Sequence, residues 1–139
     1  INVVGAVRSV QKYLRNLKKT DNPSLVFFST VAVRQGMPFH SSVAVSKAGI
    51  EGLTRSLAAE LAPQIRVNCI APSLTDTPLA SGILKNEDAR ARMALRHPLK
   101  RILQAEEIAQ MAQYLLSDQA KGITGQVIGI DGGMSALKV

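Results

Sequence analysis

Three short apolar segments, residues 25–28, 65–70 and 127–130, are separated from one another by stretches of helical periodicity. That alternation constrains the fold more than any other feature of the chain. Strands joined through helices of this length require right-handed crossovers, and therefore a parallel sheet. Residues 25–28 form a continuous apolar run, as expected of a strand buried on both faces. The helical stretches carry matching signals. Val3, Val7, Val10, Leu14 and Leu17 recur at three- and four-residue spacing, with Arg8, Lys12, Arg15 and Lys19 on the far side. Residues 20–23, Thr-Asp-Asn-Pro, stop that helix at about position 19.

A second helix is expected from Ser41 or Ser42, either of which could cap it, to about Leu61, before Pro63. Its small residues Ala44, Ala48, Gly49 and Gly52 suit close packing against a neighbour. A third begins near Ala105, with Glu106 and Glu107 at its positive end and a core stripe of Ile108, Met111, Ala112, Leu115 and Leu116. It ends by Gly122, and Asp131-Gly132-Gly133 turns the chain out of the last strand. Residues 73–103 read as a long, charged, irregular connection with a short helix around residues 87–95. Connections of that length inside a domain are usually lids or binding segments.

A three-stranded parallel sheet needs cover on both faces and along its open edge. The expectation is an α/β chain forming the second half of a doubly wound parallel-sheet fold. The sequence begins at Ile1 without an initiator Met, consistent with a fragment, a processed chain or the ordered part of a longer one.

Composition narrows the function classes. No apolar run approaches the ~20 residues of a membrane span, and no signal-peptide pattern is present. A single cysteine, Cys69, excludes an internal disulfide and points to a reduced, cytoplasmic setting. The net charge of +7 admits a third-ranked reading, a basic nucleic-acid-binding module. Against it, the cations recur along one solvent face, and only 4% of residues are aromatic, too few for base stacking. No metal site is expected.

The chemistry concentrates in residues 24–60. A strand ends at Ser29-Thr30, and the following helix carries an inward-looking Lys47. Strand-end hydroxyls then face a cation across a crevice, which is where open α/β sheets bind ligands.

Several pieces agree, in order and spacing, with one family. They are INVVG at the start, FFSTVAV, SKAGIEGLTRSLAAELAPQIRVNCIAPS, and EEIAQMAQYLLSDQAKGITGQVIGIDGG. In these pieces the chain resembles the C-terminal half of a short-chain dehydrogenase/reductase over essentially all 139 residues. The resemblance implies that residues 1–139 are the C-terminal part of a single three-layered Rossmann-type domain whose N-terminal half is absent from the chain. It also implies an oxidoreductase using NAD or NADP to move hydride between nicotinamide and a small carbonyl or alcohol substrate. A homodimer or homotetramer built on the first two helices follows from the same source.

Carried over residue by residue, Asn2 takes the place of the family's water-holding Asn. Lys47 takes that of the lysine in Tyr-x-x-x-Lys, which binds ribose hydroxyls and lowers the phenol's pKa. Thr30 takes that of the serine thirteen positions before the tyrosine. Ser29, one residue away, should point to the other face of the strand. The tyrosine position is Val43, which has no proton to give. His40, about a turn earlier, is the only nearby ionisable group of suitable pKa, although a residue at a helix entrance also has ordinary structural reasons to be there. Tyr13, on another helix, is a poor substitute.

The family's Pro-Gly-x-x-x-Thr loop, which meets the nicotinamide, corresponds to Pro72, Ser73, Leu74, Thr75, Asp76 and Thr77. Ser73 stands in place of the glycine and would be strained if positive φ were required there. No glycine-rich phosphate loop is present. The alternative to an active enzyme is a catalytically impaired or non-enzymatic relative that keeps the fold for nucleotide binding or assembly.

Overall fold

A computed structural model describes residues 2–138. Helix α1 (Asn2–Leu17) leads to strand β1 (Ser24–Phe28), helix α2 (Ser41–Leu61) and strand β2 (Arg66–Pro72). Two-residue strands β3 (Thr75–Asp76) and β4 (Leu103–Gln104) flank helix α3 (Glu87–Ala94), and helix α4 (Ala105–Leu116) precedes strand β5 (Val127–Ile130). The main sheet is parallel in the order β1-β2-β5, with Leu25 opposite Val67 and Ile70 opposite Ile128.

The expected three layers are present. Alternate residues of a strand face opposite sides, and here each side has its own core. On one, Leu25, Phe27 and Val67 pack with Leu14 and Leu17 of α1 and Ala58 and Leu61 of α2. On the other, Val26, Ile70 and Ile128 pack with Ile108, Met111 and Leu115 of α4. The apolar stripe of α1 is buried or half-buried, while Arg8, Lys12, Arg15 and Lys19 stay exposed. Gly49 lets α1 approach, since a Cβ there would stand 2.8 Å from Val3 Cγ2, whereas Gly52 faces open space.

Two expectations change. Neither Ser41 nor Ser42 caps α2; His40 occupies the cap position and its side chain makes no capping bond. Residues 73–103 are not irregular either. Strands β3 and β4 pair in parallel, and Ala80, Leu84 and Ile102 form a satellite core with Leu74, Met93 and Ala94. The apolar positions of that segment are too scattered to show a period, so its order emerges only when it folds against itself. Asn86 caps α3 by accepting from the Ala89 N–H at 2.9 Å, with Glu87 and Asp88 in the first turn.

Arg66 ties β2 to the end of α4. Its buried guanidinium donates to the carbonyls of Leu115 (2.8 Å), Ala120 (2.9 Å) and Ser117 (3.1 Å). The Leu115 carbonyl is one of the acceptors that a helix end leaves over, and Ser117 and Ala120 belong to the turn that follows. Among the described residues, no helix is long and apolar enough to cross a membrane.

Candidate active site

The carboxyl ends of β1 and β2 open into one cavity of about 690 Å³. Seven of the predicted site residues line it: Thr30, Val43, Pro72, Ser73, Leu74, Thr75 and Thr77. Two do not. Asn2 donates from Nδ2 to Ser46 Oγ (3.2 Å), one residue before Lys47. Lys47 reaches back from α2 to donate to the Phe28 carbonyl at 2.9 Å.

The end of β1 splits its two hydroxyls as the strand period requires. Ser29 turns into the core and donates to Glu51 Oε1 at 2.7 Å. Thr30 faces the cavity, and its Oγ1 accepts from the Ala32 N–H at 3.3 Å, starting the turn that leads into the loop. Beneath them lies Cys69, fully buried, its thiol pushed up to about 11 chiefly by burial.

Val43 and Lys47 are four residues apart on α2, so their side chains share one face. Val43 is 43% exposed at the cavity wall and supplies only methyl groups. His40 lines the same wall. Its Nδ1 stands 2.7 Å from the Pro38 carbonyl. A carbonyl can only accept, so Nδ1 carries the proton and Nε2 is left available. The preceding Phe39 has φ 62, a left-handed backbone uncommon for an aromatic residue. Tyr13 is exposed on α1 with Lys12 Nζ 5.4 Å from its ring centre, and it does not line the cavity.

At the end of β2, Ser73 corrects an expectation. It is not among the residues of positive φ, so replacing glycine there brings no left-handed strain. Its Oγ instead meets His97 Nε2 at 2.8 Å, while His97 Nδ1 faces the Met93 carbonyl at 3.1 Å. By the same logic Nδ1 is the donor and Nε2 accepts from the serine hydroxyl. His97 is 1% exposed, so this bond satisfies a group that would be costly to leave unpaired. The sequence reading missed His97. It lies 24 positions from Ser73, on a turn with no periodic signal.

Thr75 and Thr77 donate to the carbonyls of Ser73 (3.0 Å) and Thr75 (3.4 Å). Their oxygens remain acceptors suited to an amide N–H. Asp76 pairs with Arg90 (2.6 and 3.2 Å), which holds its carboxyl below the usual range. These features fit the nicotinamide end of a dinucleotide. Lys47 keeps two of its three N–H donors for hydroxyls, and the 72–77 loop offers amide acceptors beside an apolar wall. Among the described residues, no group of three or more His, Cys, Asp or Glu could hold a metal ion.

Residues 1–135 match the family model described as enoyl-(acyl carrier protein) reductase. The chain is 40% identical over 135 residues to the 3-oxoacyl-[acyl-carrier-protein] reductase FabG of Thermotoga maritima, covering 96% of this chain and 54% of that protein. It is 36% identical over 138 residues to the cis-4-hydroxycyclohexanecarboxylate dehydrogenase of Sinomonas cyclohexanicum, covering 99% and 55%. A solved short-chain type dehydrogenase/reductase from Mycobacterium ulcerans superposes with a TM-score of 0.89 at 32% identity, covering 96% of this chain and 49% of that one. The chain thus spans about half the length of the curated relatives it matches.

Proposed function

The chain belongs to the short-chain dehydrogenase/reductase family, and on that premise we propose that it supplies the substrate and nicotinamide half of an NAD(P)-dependent oxidoreductase. One observation carries the reading. Side chains from two strand ends and one helix, separated by more than forty residues in sequence, converge on a single cavity at the topological site where such sheets bind ligands. The substrate is a small carbonyl or alcohol, and the names of both relatives, a 3-oxoacyl reductase and a hydroxycyclohexanecarboxylate dehydrogenase, share that carbonyl–alcohol chemistry.

When bound, the nicotinamide gives or takes a hydride at the substrate carbon. The chain's own residues bind and orient. Lys47 holds ribose hydroxyls, the 72–77 loop holds the carboxamide, and Thr30 donates a hydrogen bond to the substrate oxygen. Asn2 acts through Ser46 to steady the turn that carries Lys47. The phosphate-holding half of the domain lies outside these 139 residues, a placement supported by the absence of a glycine-rich phosphate loop. A cytoplasmic homo-oligomer is part of the same proposal, and the exposed Val4 and Val45 on α1 and α2 support the association of copies.

The second reading, a relative that binds without turning over, is favoured by Val43. A general acid contributes about 10²–10⁴-fold, and valine forgoes it. The complete protein should oxidise NAD(P)H slowly on simple ketones, and Val43→Tyr should raise kcat by about 100-fold. Turnover by the unaltered protein defeats the binding-only reading, and a further fall on His40→Ala assigns the proton to His40. No turnover by either the unaltered protein or Val43→Tyr defeats the oxidoreductase reading.

A further inference from the structure

Beside the main cavity lies a second depression of about 340 Å³ that shares Arg96 and Met134 with it. The two differ in character. Leu79, Ile83 and Met93 help make the main cavity apolar. The smaller one gathers three cations, Arg96, Lys100 and Lys138, and among the described residues no acidic side chain lines it.

Those cations are left uncommitted. Among the described residues the ion pairs involve Arg90, Arg101 and Lys121, and none of the three cations forms one. The Arg96 guanidinium has only the weakly accepting Met93 sulfur at 3.9 Å. Lys100 Nζ is positioned by a single 3.3 Å bond to the Leu95 carbonyl. Cations gathered without a counter-charge repel one another, so an anion placed among them is attracted by all three.

The walls are fixed in place. Leu99 N–H donates to the Gly132 carbonyl at 3.1 Å, joining the 95–100 turn to the chain leaving β5. Gly133, at φ +87, sits so close that an added Cβ would stand 3.1 Å from Pro98 and 3.0 Å from Leu137. Lys100 itself has φ 54, a left-handed backbone that an ordinary side chain adopts only at a cost. That conformation closes the turn through its N–H to the His97 carbonyl (2.9 Å). His97 in turn is the partner of Ser73, so the basic pocket and the cavity wall form one packed unit.

We infer that this site takes an amphiphilic oxyanion. The substrate's apolar body, with its carbonyl or alcohol, lies in the main cavity, and its anionic end is held by Arg96, Lys100 and Lys138. The shared chemistry is a terminal oxyacid, carboxylate or phosphate, and Arg96 offers the fork that grips either through two bonds. The inference rests on the proposed function only in taking the main cavity as the substrate site. It sets the orientation of the substrate, with the anionic end at the surface and the reacting carbon toward Thr30 and Val43.

Calorimetric titration of the complete protein, without cofactor, tests this with three probes of equal chain length: octanoate, octyl phosphate and octanol. At low salt both anions should bind about tenfold more tightly than octanol, and the gap should narrow as salt shortens the screening length. Lys100→Asn suits a left-handed backbone, so it removes charge without strain. Combined with Lys138→Gln, it should weaken the anions by about fivefold and leave octanol unchanged, which also shows the cavity intact. A clear preference for octyl phosphate assigns a phosphoryl tail, and parity assigns either oxyacid. Equal binding of anions and octanol overturns the inference, as does a double variant that leaves the anions unaffected. Binding is read without turnover, so failure of ketone reduction would defeat the oxidoreductase reading and leave this result standing.

Discussion

At the scale of the residue, a few atoms decide what the cavity wall can do. Val43 presents only methyl groups on the helix face that carries Lys47, and the four-residue spacing makes that juxtaposition legible in the sequence alone. Ser73 was legible only as a substitution. Its hydroxyl partner lies 24 positions away on a turn without periodicity, so the sequence suggested strain where the structure has a hydrogen bond. Cys69 shows how burial decides reactivity. The thiolate is the nucleophile, and burial pushes the thiol up to about 11. A disulfide reagent at pH 8 should therefore leave Cys69 unlabelled in the native protein and modify it in denaturant, as peptide mass mapping would read. Rapid labelling of the folded protein would contradict the buried placement.

At the scale of the element, helix α4 is held at both ends by arginines that sequence periodicity does not reveal. Arg66 satisfies the carbonyls at its end from a strand about fifty residues earlier. At its start Arg101 grips Glu107 through two bonds (2.7 and 2.6 Å), and Glu107 also accepts from the Gln104 N–H at 2.8 Å. The Arg101 bonds come first, and with the Gln104 N–H they lower the Glu107 carboxyl to about 2. A depressed folded pKa contributes stability above the unfolded value, and that stability is lost as pH falls through the folded one. The unfolded carboxyl titrates near 4.5. Glu107→Gln should therefore destabilise the protein at pH 7, and the difference from the unaltered protein should shrink steadily between about pH 4.5 and pH 2. Urea unfolding of both proteins across that range gives the measurement, and a constant difference would show that the ion pair is not the cause.

At the scale of the whole molecule, protection should follow topology. Among the described residues, strand β2 has a partner on both edges and helices on both faces, whereas β1 and β5 are each paired along one edge. Amides opened only by global unfolding exchange slowest. Native-state hydrogen exchange should therefore find its slowest amides in β2, and the satellite core around Leu84 should open separately and earlier. Equal protection of α3 and β2 would mean that residues 73–103 are not a separate unit.

The sequence by itself determined the alternation of strands and helices, which faces they bury, and the spacing of Thr30, Val43 and Lys47. Each of these is a local property, because periods of 2 and 3.6 residues are written along the chain. The tertiary structure decided the strand order, the satellite core, the Ser73–His97 bond, the Arg66 anchor and the basic pocket beside the cavity. These join residues from about twenty to more than fifty positions apart. Such contacts are paid for only once the chain has closed the intervening loops, and no local pattern records them.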